Sequence, residues 1–227
     1  MLFICVVAIL VYAVLTVGLG GWARRQLLRA DAERPSSAPA RLVASGMLKE
    51  AGMPKIQVTE GWFKEWSTYD DGIGKVILAP EIYDQRTPEA CAVAAMQASR
   101  AVIARESPNA WRRRRVAIRW SSALPGLALF LAIFFMLLKR IHPAGALILF
   151  ALACVVSLLM YFMTLRIDLR AAMIAKKTLQ GQGVLVSDAD MARATKLLDA
   201  APLMDLRGPL ASMKWILWHM APFARRS

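Results

Sequence analysis

Residues 120–138 read WSSALPGLALFLAIFFMLL and carry no charged side chain. Residues 1–23 and residues 143–165 are free of charge as well. An α-helix needs about 20 apolar residues to cross a hydrocarbon core of about 30 Å, and all three stretches are long enough. The alternative is a soluble core with three buried helices, but the rest of a 227-residue chain is too small to cover such helices on every side. We therefore predict an integral membrane protein.

The first uncharged stretch is predicted to be an uncleaved anchor over residues 1–23. A secretory signal peptide begins with positive charge and continues into a short apolar core. This chain has the opposite order, because residues 1–3 are neutral and Arg24, Arg25 and Arg29 follow the apolar run.

The basic residues predict the orientation. The net charge is +13, and 17 of the 29 Lys and Arg residues fall in residues 23–119, two in residues 139–142 and ten in residues 164–227. By the positive-inside rule, the first and last of these groups lie in the cytoplasm, and the 139–142 turn lies outside the inner (plasma) membrane. The run Arg112–Arg115 is the strongest mark, and it also predicts attraction to anionic lipid headgroups. No nucleic-acid-binding motif accompanies the run, so we expect no nucleic-acid partner.

The pattern between and after the spans predicts a small α+β unit and a helical end. A helix is expected over residues 40–52, strands over 55–59, 62–69 and 75–78, and a helix over 88–105 that must be buried on most of its circumference. Further helices are expected over 166–181 and 187–201, and residues 209–223 are expected to lie at the membrane interface or to be re-entrant. The predicted organisation is an anchor (1–23), a cytoplasmic α+β unit (24–119), a transmembrane hairpin (120–165) and a cytoplasmic helical segment (166–227). The fold class is a mostly α integral membrane protein.

The three cysteines predict neither a disulfide framework nor a cysteine metal site. Cys5 and Cys154 lie in apolar runs, and Cys91 lies in the helix predicted to be buried. This usage fits a reducing cytoplasm.

A set of short local matches in a fixed order identifies a resemblance. The matches are Tyr69-Asp70, Val76–Tyr83, Ala92–Ala95, Thr164-Leu165 and Leu198–Ala201. Together with the order of anchor, α+β unit, buried helix and two-span hairpin, they resemble the neutral zinc metallopeptidases of bacterial membranes, the YugP-like family. The resemblance covers most of the chain beyond residue 40, and it implies that the α+β unit is zincin-like.

The resemblance also implies where a zinc site would lie, and this chain departs from it there. In such enzymes the buried helix carries His-Glu-x-x-His, in which two imidazoles on one helical face hold zinc and the Glu activates a water molecule. Met96 and Arg100 stand at the two histidine positions, and Gln97 stands at the Glu position. The resemblance implies that the third zinc ligand is a Glu just after the third span. The matching position in this chain is Asp168.

Each replacement removes a property that zinc chemistry needs. Met96 offers a soft, neutral thioether, and Arg100 stays protonated and has no lone pair to donate. Gln97 has the shape of Glu but cannot accept a proton from bound water. The remaining histidines are His142, in the predicted outer turn, and His219, near the end of the chain. We therefore expect no catalytic residues and no cofactor, with zinc only if the family activity is retained.

Arg100 and Asp168 are predicted to form an ion pair in the vacated pocket. A buried arginine without a partner is costly, and bidentate pairing with a carboxylate removes that cost. The alternative is that Arg100 reaches the headgroups and Asp168 is solvated.

The function predicted from these features is that of a pseudopeptidase that binds a peptide or a membrane-protein partner. The first alternative is an active zinc metallopeptidase with atypical ligands, and the second is a purely structural membrane protein. Trp62, Phe63, Trp66 and Tyr69 could line a binding groove, although aromatic clusters near strands more often serve in core or interface packing.

Overall fold

A computed structural model describes residues 2–19, 21–22, 38–61, 67–185 and 187–205. The helices are α1 (Leu2–Ala13), α2 (Ala40–Glu50), α3 (Pro80–Tyr83), α4 (Pro88–Glu106), α5 (Pro108–Leu137), α6 (Pro143–Gln182) and α7 (Asp188–Ala200). A π-helical turn, Val14–Leu19, extends α1, and a 3₁₀ turn, Ala201–Asp205, follows α7. The strands are β1 (Gln57–Glu60), β2 (Thr68–Asp70) and β3 (Lys75–Leu78).

The described residues divide into two compact units. The first, here called the helical unit, contains the described residues up to Trp22, residues 113–164 and residues 203–205. The second, here called the mixed unit, contains the described residues from Ala38 to Arg112 together with residues 165–202. Both α5 and α6 therefore contribute to each unit.

Among the residues that the structure describes, three helical segments are long and apolar enough to cross a membrane. They are Leu2–Leu19, Pro108–Leu137 and Pro143–Gln182. The three apolar helices expected from the sequence are thus present. One difference is that α5 begins at Pro108, twelve residues before the uncharged run, so the four consecutive arginines are helical. The helix expected after the third apolar stretch is the second half of α6, a single helix of 40 residues.

A polar cluster connects the helices inside the helical unit. Pro125 lies within α5 and has no N–H group, so it cannot bond the carbonyl of Ser121 four residues earlier. The Ser157 hydroxyl of α6 donates a hydrogen bond to that carbonyl. Tyr12 of α1 is hydrogen-bonded to Ser157, and the Thr16 hydroxyl donates to the Tyr12 carbonyl over 2.8 Å. The proline therefore creates an unpaired acceptor that a second helix satisfies.

Replacing Ser157 with alanine is expected to lower the free energy of unfolding by about 1 kcal/mol, because the Ser121 carbonyl loses its donor. The measurement is unfolding of the purified chain in mixed micelles. Pro125→Ala is the matched background, since an alanine N–H at position 125 can bond the Ser121 carbonyl itself. An equal cost of Ser157→Ala in both backgrounds would contradict this role of the hydroxyl.

The mixed unit contains a three-stranded sheet in the order β1-β3-β2. β2 and β3 form the antiparallel hairpin expected from the sequence, and Tyr69 is paired with Val76. In the turn between β2 and β3, the Gly72 N–H donates to Asp70 Oδ1 over 2.9 Å, and Gly74 has a φ of 65°. β1 pairs with β3 in parallel, with Val58 opposite Val76, a pairing that the sequence did not indicate. The strand expected over residues 62–69 is observed as Thr68–Asp70, and residues 62–66 lie outside the described part of the chain.

The central helix α4 is enclosed by the rest of the mixed unit. Its start follows the predicted pattern, because the Thr87 hydroxyl accepts a hydrogen bond from the Ala90 N–H and Pro88 occupies the first turn. All side chains from Pro88 to Ala101 are buried, and the helix packs against α2, α3, α7, β2 and β3. At its other end Arg105 donates to the carbonyls of Ala51 and Gly52, which follow the last residue of α2. The fold therefore surrounds the segment that would carry a metal-binding motif.

Candidate functional site

The resemblance places Met96, Gln97 and Arg100 at the positions of a metal-binding motif. These three residues lie on one side of α4 and inside the mixed unit. Met96 is 2% exposed, Gln97 5% and Arg100 6%. Residues three and four apart on a helix are neighbours, so the side chains of Gln97 and Arg100 can meet, and so can those of Met96 and Arg100. The helix thus holds these positions away from solvent.

Asp168 reaches the same place from α6. Its side chain is 1% exposed, and Arg100 Nη2 lies 2.8 Å from Asp168 Oδ1. Arg100 Nε donates to the same oxygen over 3.1 Å. The structure thus brings together the two residues that the sequence suggested as partners, and both are buried rather than directed to headgroups or solvent.

The Arg100 guanidinium donates hydrogen bonds to two side chains in this site. Arg100 Nε and Nη2 both donate to Oδ1 of Asp168. Arg100 Nη1 donates to Gln97 Oε1 of the same helix over 3.3 Å. Gln97 therefore belongs to the network as an acceptor, a role that was not predicted from the sequence. Its spacing of three residues from Arg100 was the available signal.

The Arg100–Asp168 ion pair is buried, whereas two other ion pairs of the mixed unit are exposed. The side chains of Arg170 and Glu106, also 2.8 Å apart, are 54% and 48% exposed. Those of Arg41 and Asp84 are 46% and 70% exposed. Exposed pairs contribute about 0–1 kcal/mol to stability, whereas a buried charge that loses its partner is strongly destabilising. The Arg100–Asp168 pair is therefore the one whose disruption should matter most.

The donor set at this place does not suit a zinc ion. Asp168 offers a carboxylate, but its Oδ1 accepts two hydrogen bonds from Arg100, and Met96 and Arg100 offer a thioether and a guanidinium. Within the described ranges, no group of three His, Cys, Asp or Glu side chains could hold a metal ion. His142 lies in the turn before α6, where its Nδ1 accepts a hydrogen bond from the Ala144 N–H, and His219 lies outside the described residues.

Tyr69 is the described member of the aromatic cluster, and it is engaged in packing. Its ring lies 5.8 Å from the ring of Trp111, at an interplanar angle of 52°. Burial raises the pKa of the Tyr69 phenol above its ordinary value of 10.0, and the carboxylates of Asp71 and Asp70 add to the increase. Trp62, Phe63 and Trp66 lie outside the described residues. Tyr69 therefore joins β2 to the first turn of α5.

The raised pKa of Tyr69 predicts a loss of stability in alkali. The folded protein keeps the phenol proton to higher pH than the unfolded chain does, so stability falls as pH rises from about 10 through the folded pKa. We expect Tyr69→Phe to lose less stability over this interval than the native chain. The measurement is the free energy of unfolding of both proteins from pH 8 to 11. If the free energies of unfolding of the two proteins fall in parallel above pH 10, Tyr69 ionises equally in the folded and unfolded states.

The fold and the site together define a class. In its described part the protein is mostly helical, has three helices suited to crossing a membrane, and encloses its central helix beside a small three-stranded sheet.

The comparison with protein families specifies this class further. Residues 2–221 match the profile of the family described as "Putative neutral zinc metallopeptidase", and the chain belongs to this family. No curated protein and no solved structure gives a match. The resemblance seen in the sequence is thus confirmed.

Proposed function

We propose that this chain is a catalytically inactive member of its family, a pseudopeptidase that acts by binding. The observation that carries the proposal is the buried Arg100–Asp168 ion pair at the place where two zinc ligands would converge. A guanidinium there repels a divalent cation and engages the carboxylate that would otherwise be a ligand.

The position of the general base supports the same conclusion. Gln97 stands where the catalytic Glu would lie, and its Oε1 accepts a hydrogen bond from Arg100. An amide cannot take the proton of an attacking water molecule, so even a metal held by other donors would lack its base at this position. Both helical ligands and the base are replaced together, and the replacements form one hydrogen-bonded network.

The retained frame supports a binding role. The central helix is capped and enclosed, and α6 carries Asp168 to it. Under our proposal, this arrangement persists without the chemistry. We propose that this frame holds a peptide or a membrane-protein partner. The family description favours the alternative, an active zinc metallopeptidase, and activity with atypical ligands is the outcome that would replace our proposal.

We further propose that the three apolar helices insert into the inner membrane. The turn at residues 139–142 would lie outside, and the mixed unit would lie in the cytoplasm. Apolar length supports the insertion, and the concentration of Lys and Arg in residues 23–119 and 164–227 supports the orientation. The exposed arginines of residues 112–115 would then lie close to anionic headgroups.

Peptide hydrolysis tests the loss of activity. The purified chain, supplied with zinc in detergent, is incubated with a mixed peptide library, and products are identified by mass spectrometry. We expect no metal-dependent cleavage, that is, no product whose formation is abolished by the chelator 1,10-phenanthroline. The matched control is the Asp168→Asn variant, which replaces the remaining candidate carboxylate ligand with a neutral amide of the same shape and keeps an oxygen that can accept from Arg100. Cleavage by the native chain that disappears both with chelator and in this variant would overturn the proposal.

A further inference from the structure

The run Arg112–Arg115 does not form one uniform cluster. Arg114 is 7% exposed, whereas Arg112, Arg113 and Arg115 are exposed, as is Arg119 further along α5. A helix advances about 100° per residue, so Arg112, Arg113 and Arg119 fall within one arc of about 120°. Val116 and Trp120 lie in the same arc and are 50% and 47% exposed.

The same arc continues along the apolar half of α5. Leu127, Phe130, Phe134 and Leu137 fall within it, and each is exposed. In a bilayer, lipid tails are the natural cover for an uncharged, exposed helical face of this length. The arginines of the arc therefore extend a surface whose apolar half suits lipid tails.

The lengths agree with this arrangement. A hydrocarbon core of about 30 Å corresponds to about 20 helical residues, so a core that ends near Leu138 begins near Arg119. Arg112 lies seven residues before Arg119, about 10 Å further along the axis. The headgroup layer occupies about 5–8 Å on each side of the core, so Arg119 lies at its inner boundary and Arg112 lies close to its outer edge, within the length of an arginine side chain. Trp120 is placed at the depth that tryptophan prefers, near the boundary of core and headgroups.

We propose that this arc, Arg112, Arg113 and Arg119 with Val116 and Trp120, binds the headgroups of acidic phospholipids whose tails cover Leu127 and Phe130. The occupant is the chain's own bilayer, because the arginines are continuous with the tail-covered face and attract phosphate and other anionic groups. The inference rests on the membrane insertion proposed above, but it does not depend on the loss of catalysis.

The test uses the full chain, reconstituted in nanodiscs and then studied by native mass spectrometry. The probes are phosphatidylglycerol and phosphatidylcholine, and the quantity measured is the ratio of their apparent affinities. We compare the native chain with an Arg112→Gln/Arg113→Gln/Arg119→Gln variant. The matched control is Lys177→Gln/Arg193→Gln/Lys196→Gln, which removes three exposed charges from α6 and α7. Each charge near an anionic surface changes the preference for an anionic lipid about fivefold. We therefore expect the preference for phosphatidylglycerol over phosphatidylcholine to fall roughly 100-fold in the arc variant and to change little in the control.

Three outcomes separate the claims. A chain that does not enter nanodiscs overturns the proposed membrane insertion and this inference with it. A chain that enters but binds both lipids equally, or whose preference survives in the arc variant, overturns this inference alone. An Arg112→Lys/Arg113→Lys/Arg119→Lys variant guards against misfolding: it should keep most of the preference, and a folded Lys variant that loses it would contradict an electrostatic site.

Discussion

Replacing Asp168 with alanine is expected to lower the free energy of unfolding by about 3–5 kcal/mol, the largest effect that we expect from a single substitution in this chain. The substitution leaves Arg100 buried without the carboxylate that accepts its Nε and Nη2 hydrogen bonds. Because this positive charge cannot be neutralised by losing a proton, the cost is that of an unpaired buried ion. The measurement is equilibrium unfolding of the purified protein in mixed micelles.

Glu106→Ala is the matched control for that experiment. It removes the carboxylate of the exposed Arg170–Glu106 pair, at the same 2.8 Å separation, and should cost about 0–1 kcal/mol.

Removing both charges of the Arg100–Asp168 pair distinguishes the cost of an unpaired charge from the cost of lost side-chain packing. Arg100→Met with Asp168→Leu should be close to the native chain in stability, since apolar replacement of a buried pair is often neutral or stabilising. If Asp168→Ala costs no more than Glu106→Ala, the pair is not a buried ion pair in solution.

The second large effect is a gain of zinc binding. We expect the variant Met96→His/Gln97→Glu/Arg100→His to bind about one zinc per chain. Two imidazoles four residues apart would share one face of α4, and loss of the guanidinium would release Asp168 Oδ1 from its two hydrogen bonds. The carboxylate would then be the third protein ligand, with a water molecule as the fourth.

Two further variants test whether the gained zinc binding depends on Asp168 and on the removal of Arg100. Adding Asp168→Ala to the triple variant should weaken zinc binding strongly, because a ligand is removed. Met96→His alone should bind no zinc, since Arg100 still pairs with Asp168. Zinc is measured by elemental analysis after dialysis against a weak chelator. If the triple variant folds but stays free of zinc, Asp168 is not at a ligand position.

Local rules predicted most of the helices and the hairpin of this fold. Apolar length marked the three candidate spans, and Thr87-Pro88-Glu89 marked the start of α4 by capping chemistry that acts within one turn. Asp70–Gly74 marked the turn between β2 and β3 for the same reason. Each of these signals involves residues close together in sequence, so one chain is enough to detect them.

Non-local features could not be obtained in this way. The parallel pairing of β1 with β3 depends on where the two strands meet in space, and no turn residue specifies it. The start of α5 at Pro108 was missed because charged residues interrupt the apolar pattern there, although arginine is a good helix former. The partnership of Arg100 and Asp168 was accessible only through the resemblance to a family, since 68 residues separate them. The convergence of Arg100 Nε and Nη2 on Oδ1 of Asp168 depends on side-chain rotamers, which no sequence pattern specifies.

The zinc content of the native chain tests the central claim most directly. The protein is purified in detergent without chelator, equilibrated with zinc, dialysed and analysed for metal per chain. Our account predicts zinc far below stoichiometric, because Arg100 stands where a ligand should and holds Asp168. About one zinc per chain, lost when Asp168 is replaced with alanine, would contradict the account and show that the metal site persists with other ligands.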